Sequence, residues 1–258
     1  LIHPPFADPT QPYLSLPTLK GWLRARGLDA TRVDLNVEAA HWLFEPETLK
    51  AVGRRIGQRF SLLNRERALS FDEQREYIAL ERARLQFERA LAANPAPLEV
   101  FRTRELFYDA AQYAVARRTV DGYFEALSAA NWPYKFSFNH ASHSVVPWSF
   151  DLLDAYWTER RSPLHGFYER TFTSFEEWDW ESEAPAPRFD LSAIEFVGIS
   201  VVFPSQIPEA LYLCRFLRER MPNTFLALGG PALHQVTVHA DESRKLRLLG
   251  WVDAIGLY

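Results

Sequence analysis

The chain has 258 residues, of which 47% are hydrophobic and 24% charged, and its formal net charge is −4 at pH 7. These values are ordinary for globular chains, and the length is enough to bury a sizeable core. The small acidic net charge provides no basic field that would favour nucleic acid or an anionic membrane surface as a partner. No apolar run is long enough to span a bilayer, and no signal peptide is recognisable.

The single cysteine, Cys214, excludes an internal disulfide and any metal site built only from cysteines. We therefore expect a reducing, cytoplasmic location. Cys214 recurs with apolar residues at helical spacing, which predicts a place in the core. Leu1 lies inside an apolar run and Tyr258 ends another one, so we expect this sequence to be a piece of a longer chain.

The first part of the chain, residues 1–36, reads as strand, helix and strand. Pro4 and Pro5 stop the first apolar run, and a stretch from Ser15 with apolar residues on one face predicts a helix that ends at Gly27. The same alternation resumes at Phe196 and continues to the end of the chain. We predict strands at 1–6, 31–36, 196–203, 224–230 and 252–258.

Strands that are apolar on both faces and alternate with helices indicate a parallel sheet. The fold class predicted is α/β, a flavodoxin-like or Rossmann-like sheet of five parallel strands in a three-layer α/β/α arrangement. Residues 1–36 and 190–258 would form this domain, and residues 37–189 a helical insertion between its second and third strands.

Most of the aromatic residues of the chain lie in this insertion. Helices are predicted at 46–60, 71–93, 97–128, 149–160 and 163–171, and Ser70-x-x-Glu73 has the pattern of a capping box. Two interpretations of the aromatic residues stay open. They can fill the core of the insertion itself, or some of them can face a flat ligand or a further domain.

The carboxyl ends of parallel strands form the edge where open α/β sheets bind ligands. The segments that meet there are HPPFADPTQPY, SVVFPSQ, GGPALHQ and the end of the last strand. They contain no Gly-x-Gly-x-x-Gly, no phosphate-binding loop and no Ser-His-Asp pattern, and the loop after the first strand is rich in proline. This argues against a nucleotide-binding enzyme. Gly229 and Gly230 leave bare backbone at one strand end, which suits either a tight turn or a bulky ligand.

Taken in order, HPPFADPTQPYLSLPTLKGWLRARG, VGISVVFPSQIPEAL, LALGGPA and VDAIGLY resemble the N-terminal cobalamin-binding domain of B12-dependent radical SAM enzymes. The resemblance covers residues 1–36 and 190–258, and RSPLHGFYERTF is similar to text in the insertions of some of these enzymes. It implies that a corrin ring lies across the strand ends and that the nucleotide tail of cobalamin enters a groove between strands. Ser200 and Val202 stand where the family has Ser-x-Leu, with Val in place of Leu, and Gly229 and Gly230 match its glycine pair.

On this resemblance the residues expected to bind the cofactor are those of the strand ends and their loops. They are Pro5, Phe6, Thr10, Gln11, Pro12, Tyr13, Ser200, Val202, Phe203, Ser205, Gln206, Gly229, Gly230, Pro231, Ala232, His234 and Tyr258.

The sequence departs from the usual cobalamin-binding pattern in its first loop. Many such domains carry Asp-x-His-x-x-Gly there, and its histidine ligates cobalt, whereas FADPTQPYLSLP contains no histidine. We therefore expect cobalamin without a histidine ligand from this loop, its lower face meeting Thr10, Gln11, Pro12, Tyr13 or water.

The resemblance further implies a front module of a radical SAM methyltransferase that acts on an unactivated carbon, with methylcobalamin as the donor. The [4Fe–4S] cluster and S-adenosylmethionine would belong to a downstream radical SAM domain, because one cysteine cannot hold the cluster. This chain alone would then bind without turnover, and the substrate, a peptide or a small molecule, stays open. The alternative is a flavodoxin-like scaffold that binds no cofactor and docks a partner or peptide through the helical insertion.

Overall fold

The computed structural model describes residues 1–9, 11, 13–91, 96–137, 140–143, 149–174, 176–179, 184–187 and 189–256. The strands are β1 Ile2–His3, β2 Val33–Asp34, β3 Lys135–Ser137, β4 His140–Ser142, β5 Glu176–Asp179, β6 Ala184–Pro187, β7 Phe196–Ser200, β8 Phe225–Gly229 and β9 Ala254–Gly256. The helices are α1 Ser15–Arg24, α2 Leu35–Leu43, α3 Pro46–Leu63, α4 Phe71–Leu91, α5 Pro97–Arg102, α6 Arg104–Phe107, α7 Ala110–Ala130, α8 Phe150–Glu159, α9 His165–Glu169, α10 Ile207–Arg220, α11 Pro231–Val238 and α12 Glu242–Leu249. A π-helical turn follows α9 at Arg170–Ser174, and 3₁₀ turns lie at Leu191–Ala193 and Pro204–Gln206.

Five of these strands form one parallel sheet in the order β2-β1-β7-β8-β9. Helices flank this sheet, so the predicted fold class, a parallel α/β sheet of the flavodoxin-like or Rossmann-like kind, is confirmed. The strands are shorter than predicted, above all β1 and β2, whose hydrogen-bonded part is two residues each. Two small antiparallel pairs, β3 with β4 and β5 with β6, were not predicted.

The described chain divides into two compact units. One comprises residues 1–42 and 145–258 and contains the sheet, and the other comprises residues 43–144 and is mainly helical. The domain boundaries predicted from the sequence, 36/37 and 189/190, stay a prediction, and the structure groups α8 and α9 with the sheet instead of with the helical unit. None of the described helices has both the length and the apolarity needed to cross a membrane.

The helical unit has a core in which aromatic side chains take a large share. Phe87, Tyr123 and Phe124 are buried where α4 and α7 meet, and Tyr134 and Phe136, which follow α7 in the chain, are buried as well. The segment 97–128, predicted as one helix, is three helices, with a residue of extended conformation at Thr103 and a cap at Asp109. The predicted capping box is confirmed, since Glu73 accepts from the Ser70 backbone N–H at 2.8 Å and donates its own N–H to Ser70 Oγ at 3.3 Å.

The sheet is covered unequally on its two faces. Val197, Ile199, Leu226 and Leu228 point to one face and are all buried. Parallel crossovers are right-handed, which places α1, leading from β1 to β2, opposite the helices that lead from β7 to β8 and β9. α10 has ten buried residues and covers the closed face. The other face, which carries the alternate residues of β7 and β8, is half open.

Helix α10 also holds a buried carboxylate. Glu209 is fully buried, and its Oε2 accepts hydrogen bonds from the Ser162 hydroxyl at 2.7 Å and the Tyr168 hydroxyl at 2.9 Å. The Trp157 indole donates to the carbonyl of Pro208, the residue before Glu209, at 3.2 Å. These bonds attach the segment from α8 to α9 to the first turn of α10. Cys214, further along the helix, is fully buried as predicted, and burial raises the pKa of its thiol to about 12.

We predict that Glu209→Ala lowers the free energy of unfolding by about 3 kcal/mol, because two buried hydroxyl donors lose their acceptor. Urea denaturation followed by circular dichroism measures the change. Glu219→Ala on the same helix is the matched control, since that side chain is 68% exposed and its loss should cost less than about 0.5 kcal/mol. Equal effects of the two substitutions would show that the buried network does not hold this segment.

Candidate functional site

The sheet order reverses at β1, which has β2 on one side and β7 on the other. The crevice beyond the carboxyl ends of β1 and β7 is therefore the position at which a sheet of this topology binds ligands. Three side chains hydrogen-bond to the chain segments that follow these two strands. Asn36 belongs to α2, and Ser205 and Gln206 belong to the 3₁₀ turn after β7.

Gln206 makes the most contacts of the three and is fully buried. Its Oε1 accepts from the backbone N–H groups of Val202 at 2.9 Å and Phe203 at 3.0 Å. Because the two N–H donors fix the orientation of the amide, Nε2 must donate, and it donates to the carbonyl of Pro4 and to His3 Nε2 at 3.2 Å. One side chain thus joins the connection after β1 to the connection after β7.

The contact with Gln206 fixes the protonation state of His3. A nitrogen that accepts from an amide N–H carries no proton, so His3 is neutral and has its proton on Nδ1. His3 is 1% exposed, and this burial lowers its pKa, against the opposing effects of the Asp34 carboxylate and the Ser200 main chain. The sequence showed His3 only as a strand-end residue and gave no sign of this role.

Ser205 and Asn36 hold the loop that follows β1. The Ser205 hydroxyl donates to the Phe6 carbonyl at 2.8 Å, and the backbone N–H of Ala7 donates to Asn36 Oδ1 at 2.8 Å. Asn36 is 4% exposed, and its Nδ2 is buried without a hydrogen-bond partner among the described residues. Sequence reasoning did not select Asn36, although it lies at the end of the predicted second strand, where a binding residue is expected.

Aromatic rings form the rim of the crevice. Tyr13 lies over His3, with ring centroids 4.8 Å apart, and meets Phe203 edge to face at 5.2 Å. Phe203 is 37% exposed, and Tyr13 and Phe6 are partly exposed. Flat side chains therefore line the rim at the ends of β1 and β7, and all three, Phe6, Tyr13 and Phe203, are among the residues expected to bind the cofactor.

The small residues lie instead on the open face of the sheet. In the register of the strands, Ser200 pairs with Gly229, and Gly229 pairs with Gly256. Two residues earlier along each strand, Ala227 pairs with both Gly198 and Ala254. We call these six residues the bare strip. Five of them are partly exposed, and Gly256 is exposed. The strip ends at the stacked rings of Phe196 and Phe225, whose centroids are 5.8 Å apart.

The two glycines singled out from the sequence have different roles. A Cβ on Gly229 would have Gly256 O as its nearest neighbour at 3.5 Å, an ordinary contact. A Cβ on Gly230 would lie 2.1 Å from the carbonyl oxygen of Val201, and Gly230 has φ of +119°. The expectation that Gly230 clears space for a ligand is therefore wrong. Glycine is required there because the main chain of Val201 fills the space that a side chain would occupy. Gly229 belongs to the bare strip.

The other predicted residues surround these features. Pro5 is buried, and Gln11 is exposed and bonded to Asp8. Pro231 begins α11, Ala232 is buried with its N–H directed to the Val201 carbonyl at 3.3 Å, and His234 is partly exposed one turn later. Val202 is partly exposed beside Phe203. Thr10, Pro12 and Tyr258 lie outside the described residues.

A metal ion has no ready-made site in the part of the chain that the structure describes, since no three His, Cys, Asp or Glu side chains are grouped to bind one. The Ser200 hydroxyl makes no hydrogen bond to any described residue, so it can bond to a ligand on the bare strip. No protein-family model, curated protein or solved structure matches the chain significantly.

We predict that His3 stays neutral, with its proton on Nδ1, at pH values where the histidines of the unfolded chain are already charged, below about 6.5. A nitrogen-15 NMR titration, with the His3→Asn variant for assignment, measures both properties. Because folding lowers its pKa, His3 contributes stability that is present above the pKa of the unfolded state and lost as the pH falls below it. A proton on Nε2, or a pKa at or above the ordinary value, would contradict this assignment.

Proposed function

We propose that this chain binds cobalamin and is the cobalamin-binding module of a B12-dependent radical SAM enzyme. The observation that carries the proposal is the bare strip, which lies on an open sheet face next to a crevice rimmed by aromatic rings. A large flat cofactor with a long appendage needs both features, a surface of rings for its plane and a side-chain-free channel for its tail. The uncharged chemistry of the rim suits a ring whose periphery carries amides.

The residues present fit this group, and their roles can be assigned. Tyr13, Phe203 and Phe6 would contact the corrin ring from the rim. The hydroxyl of Ser200 would hydrogen-bond the tail, and Gly229 and Gly256 would let the tail lie against the main chain. Asn36 Nδ2, a buried donor without a partner among the described residues, supports an amide oxygen of the ligand as its acceptor.

His3 is the histidine nearest in sequence to the first loop, and its Nε2 is already bonded to Gln206. We therefore propose that cobalt receives no histidine from this segment. When bound, cobalamin would supply the methyl group for transfer, and the residues of this segment would leave its cobalt without a histidine ligand. The parent enzyme would be a methyltransferase that acts on an unactivated carbon and whose iron–sulfur cluster and S-adenosylmethionine lie in another domain.

We predict that Gly229→Ala keeps the fold and weakens cobalamin binding at least about tenfold, or 1.4 kcal/mol, because the added methyl group enters the channel. Equilibrium dialysis of the purified chain against hydroxocobalamin, read by absorbance, gives the affinity, and the melting curve checks the fold. Gly57→Ala in α3 is the matched control, because nothing lies within 4 Å of the added Cβ.

The wild-type chain should retain about one equivalent of cobalamin after desalting, and the Gly57→Ala chain the same amount. Binding that Gly229→Ala leaves unchanged would move the site away from the bare strip. The paramagnetic resonance spectrum of the reduced, cobalt(II) sample reports the axial ligand, and nitrogen splitting from a protein histidine would refute the assignment of His3.

A second candidate function, a scaffold without a cofactor, has one observation in its favour. Phe71, Ile78 and Leu85 recur every seven residues along α4 and are 74%, 54% and 54% exposed. A seven-residue repeat is the spacing at which one helix contacts another. A chain that stays colourless after the same reconstitution would favour this candidate over cobalamin binding.

A further inference from the structure

A cavity of about 410 Å³ lies between the α8–α9 segment and the second half of α10. Its lining residues, Tyr212 to Arg220, are six to fourteen residues beyond Gln206, which is roughly 9 to 21 Å along the helix axis. The cavity is therefore separate from the crevice at the strand ends. Its volume is within the range of pockets that bind small molecules.

The floor of this cavity is aromatic and rigid. Trp157, Tyr212 and Phe216 are 5%, 8% and 3% exposed, and the rings of Trp157 and Tyr212 meet edge to face at 5.0 Å. The Glu209 network described above holds the same segment in place. The walls carry charged side chains, namely Arg160, Arg161, Arg215, Arg220, Glu159, Glu169 and Glu219.

Most of the acidic charge in the walls already has a cationic partner. Glu169 pairs closely with Arg220, and Glu219 lies 3.9 Å from Arg220. The Arg220 guanidinium also lies 3.6 Å from the centre of the Phe216 ring, which keeps it at the end of the cavity. Arg161 and Arg215 are two further cations of the walls.

A relay of hydrogen bonds leads to that hydroxyl. Arg161 Nη1 lies 3.1 Å from His165 Nε2, and a guanidinium can only donate, so Nε2 accepts and the proton of this neutral imidazole is on Nδ1. His165 Nδ1 lies 2.7 Å from the Tyr212 hydroxyl oxygen and donates to it. Burial, with Arg161 next, lowers the pKa of His165, which agrees with the neutral form. Glu169 lies 3.3 Å from the same Nε2 but pairs with Arg220.

Two donors beside the cavity have a hydrogen that makes no hydrogen bond to a described residue. The Tyr212 hydroxyl accepts from His165, so its own hydrogen is available. Arg215 Nη1 is buried without a hydrogen bond, and its ion pair with Asp154 is long, 3.7 Å, and shared with Arg247. Tyr212 and Arg215 are three residues apart on α10, which puts them side by side on one face of the helix.

We propose that this cavity binds an oxyanion, a carboxylate or a phosphate group, between the Tyr212 hydroxyl and the Arg215 guanidinium. Charge-assisted bonds to an oxyanion would satisfy both donors, and the bidentate geometry of arginine matches either group. The aromatic floor accommodates an apolar part of the ligand beside the anionic group. This site is independent of cobalamin binding and stands whether or not the cofactor proposal holds.

Isothermal titration calorimetry of the full chain at low salt tests the site with two probes, inorganic phosphate and N-acetylphenylalanine. The expected result is one-site binding of at least one probe, and which probe binds more tightly distinguishes a phosphate from a carboxylate ligand. Tyr212→Phe and Arg215→Gln should each weaken binding about tenfold or more. Arg24→Gln, an exposed arginine of α1 in the same unit, is the control and should change nothing.

N-acetylphenylalaninamide, which lacks the carboxylate, should not bind where N-acetylphenylalanine does. The absence of binding by both anionic probes would overturn the proposal. Binding that Tyr212→Phe and Arg215→Gln leave unchanged would overturn it as well. Because Tyr212→Phe removes only a hydroxyl and keeps the ring contacts, it separates loss of the donor from loss of the fold.

Discussion

The site depends on the hydrogen bonds of the Gln206 side-chain amide. A single buried side chain accepts from two N–H groups after β7 and donates to His3 in β1 and to the Pro4 carbonyl just after it. Both halves of the crevice are thereby fixed to each other without any charge. The neutral state of His3 follows from this bond, and so does the position of the loop that brings Tyr13 over the strand ends. Because both its oxygen and its nitrogen are used in these bonds, the Gln206 amide fits only one arrangement of the two connections, which makes the crevice preorganised.

The right-handedness of the crossover connections explains why the bare strip lies on an open face of the sheet. Right-handed crossovers put α10 on the face opposite α1, so the strands β7, β8 and β9 have one closed and one open face. The closed face carries large aliphatic side chains, and the open face carries the bare strip. Because the residues of the bare strip are Gly, Ala and Ser, this face exposes main chain and little apolar area. Such a surface can contact either water or a ligand. Under the function proposed above, the rings at the rim and the bare strip together would contact the cofactor.

The sequence predicts the sheet because each strand is an apolar run between turn signals, and the order of strands and helices leaves few topologies. The resemblance to cobalamin-binding domains also puts Ser200, Gln206 and Gly229 among the residues expected to bind the cofactor. It could not separate Gly229 from Gly230, because the reason for Gly230 is the main chain of Val201, remote in sequence and 2.1 Å from an added Cβ.

Contacts between segments that are remote in sequence explain why the sequence did not reveal the other residues of the two sites. Asn36 and His3 gain their roles only from loops that fold back on them, and Tyr212 and Arg215 only from the α8–α9 segment that packs against α10. Leu19 and Trp22, which share the apolar face of α1 with Leu16, are 43% and 54% exposed, whereas Leu16 is buried. Periodicity identifies a helix face, but it does not say how much of that face another element covers.

The most direct test of the account is amide hydrogen exchange of the full chain with and without hydroxocobalamin, analysed by mass spectrometry. The account predicts slower exchange on binding in three segments, the loop after β1, the connection from Ser200 to Gln206 and the residues around Gly229. Cobalamin that binds while these segments exchange unchanged, or that protects only the helical unit, would contradict it.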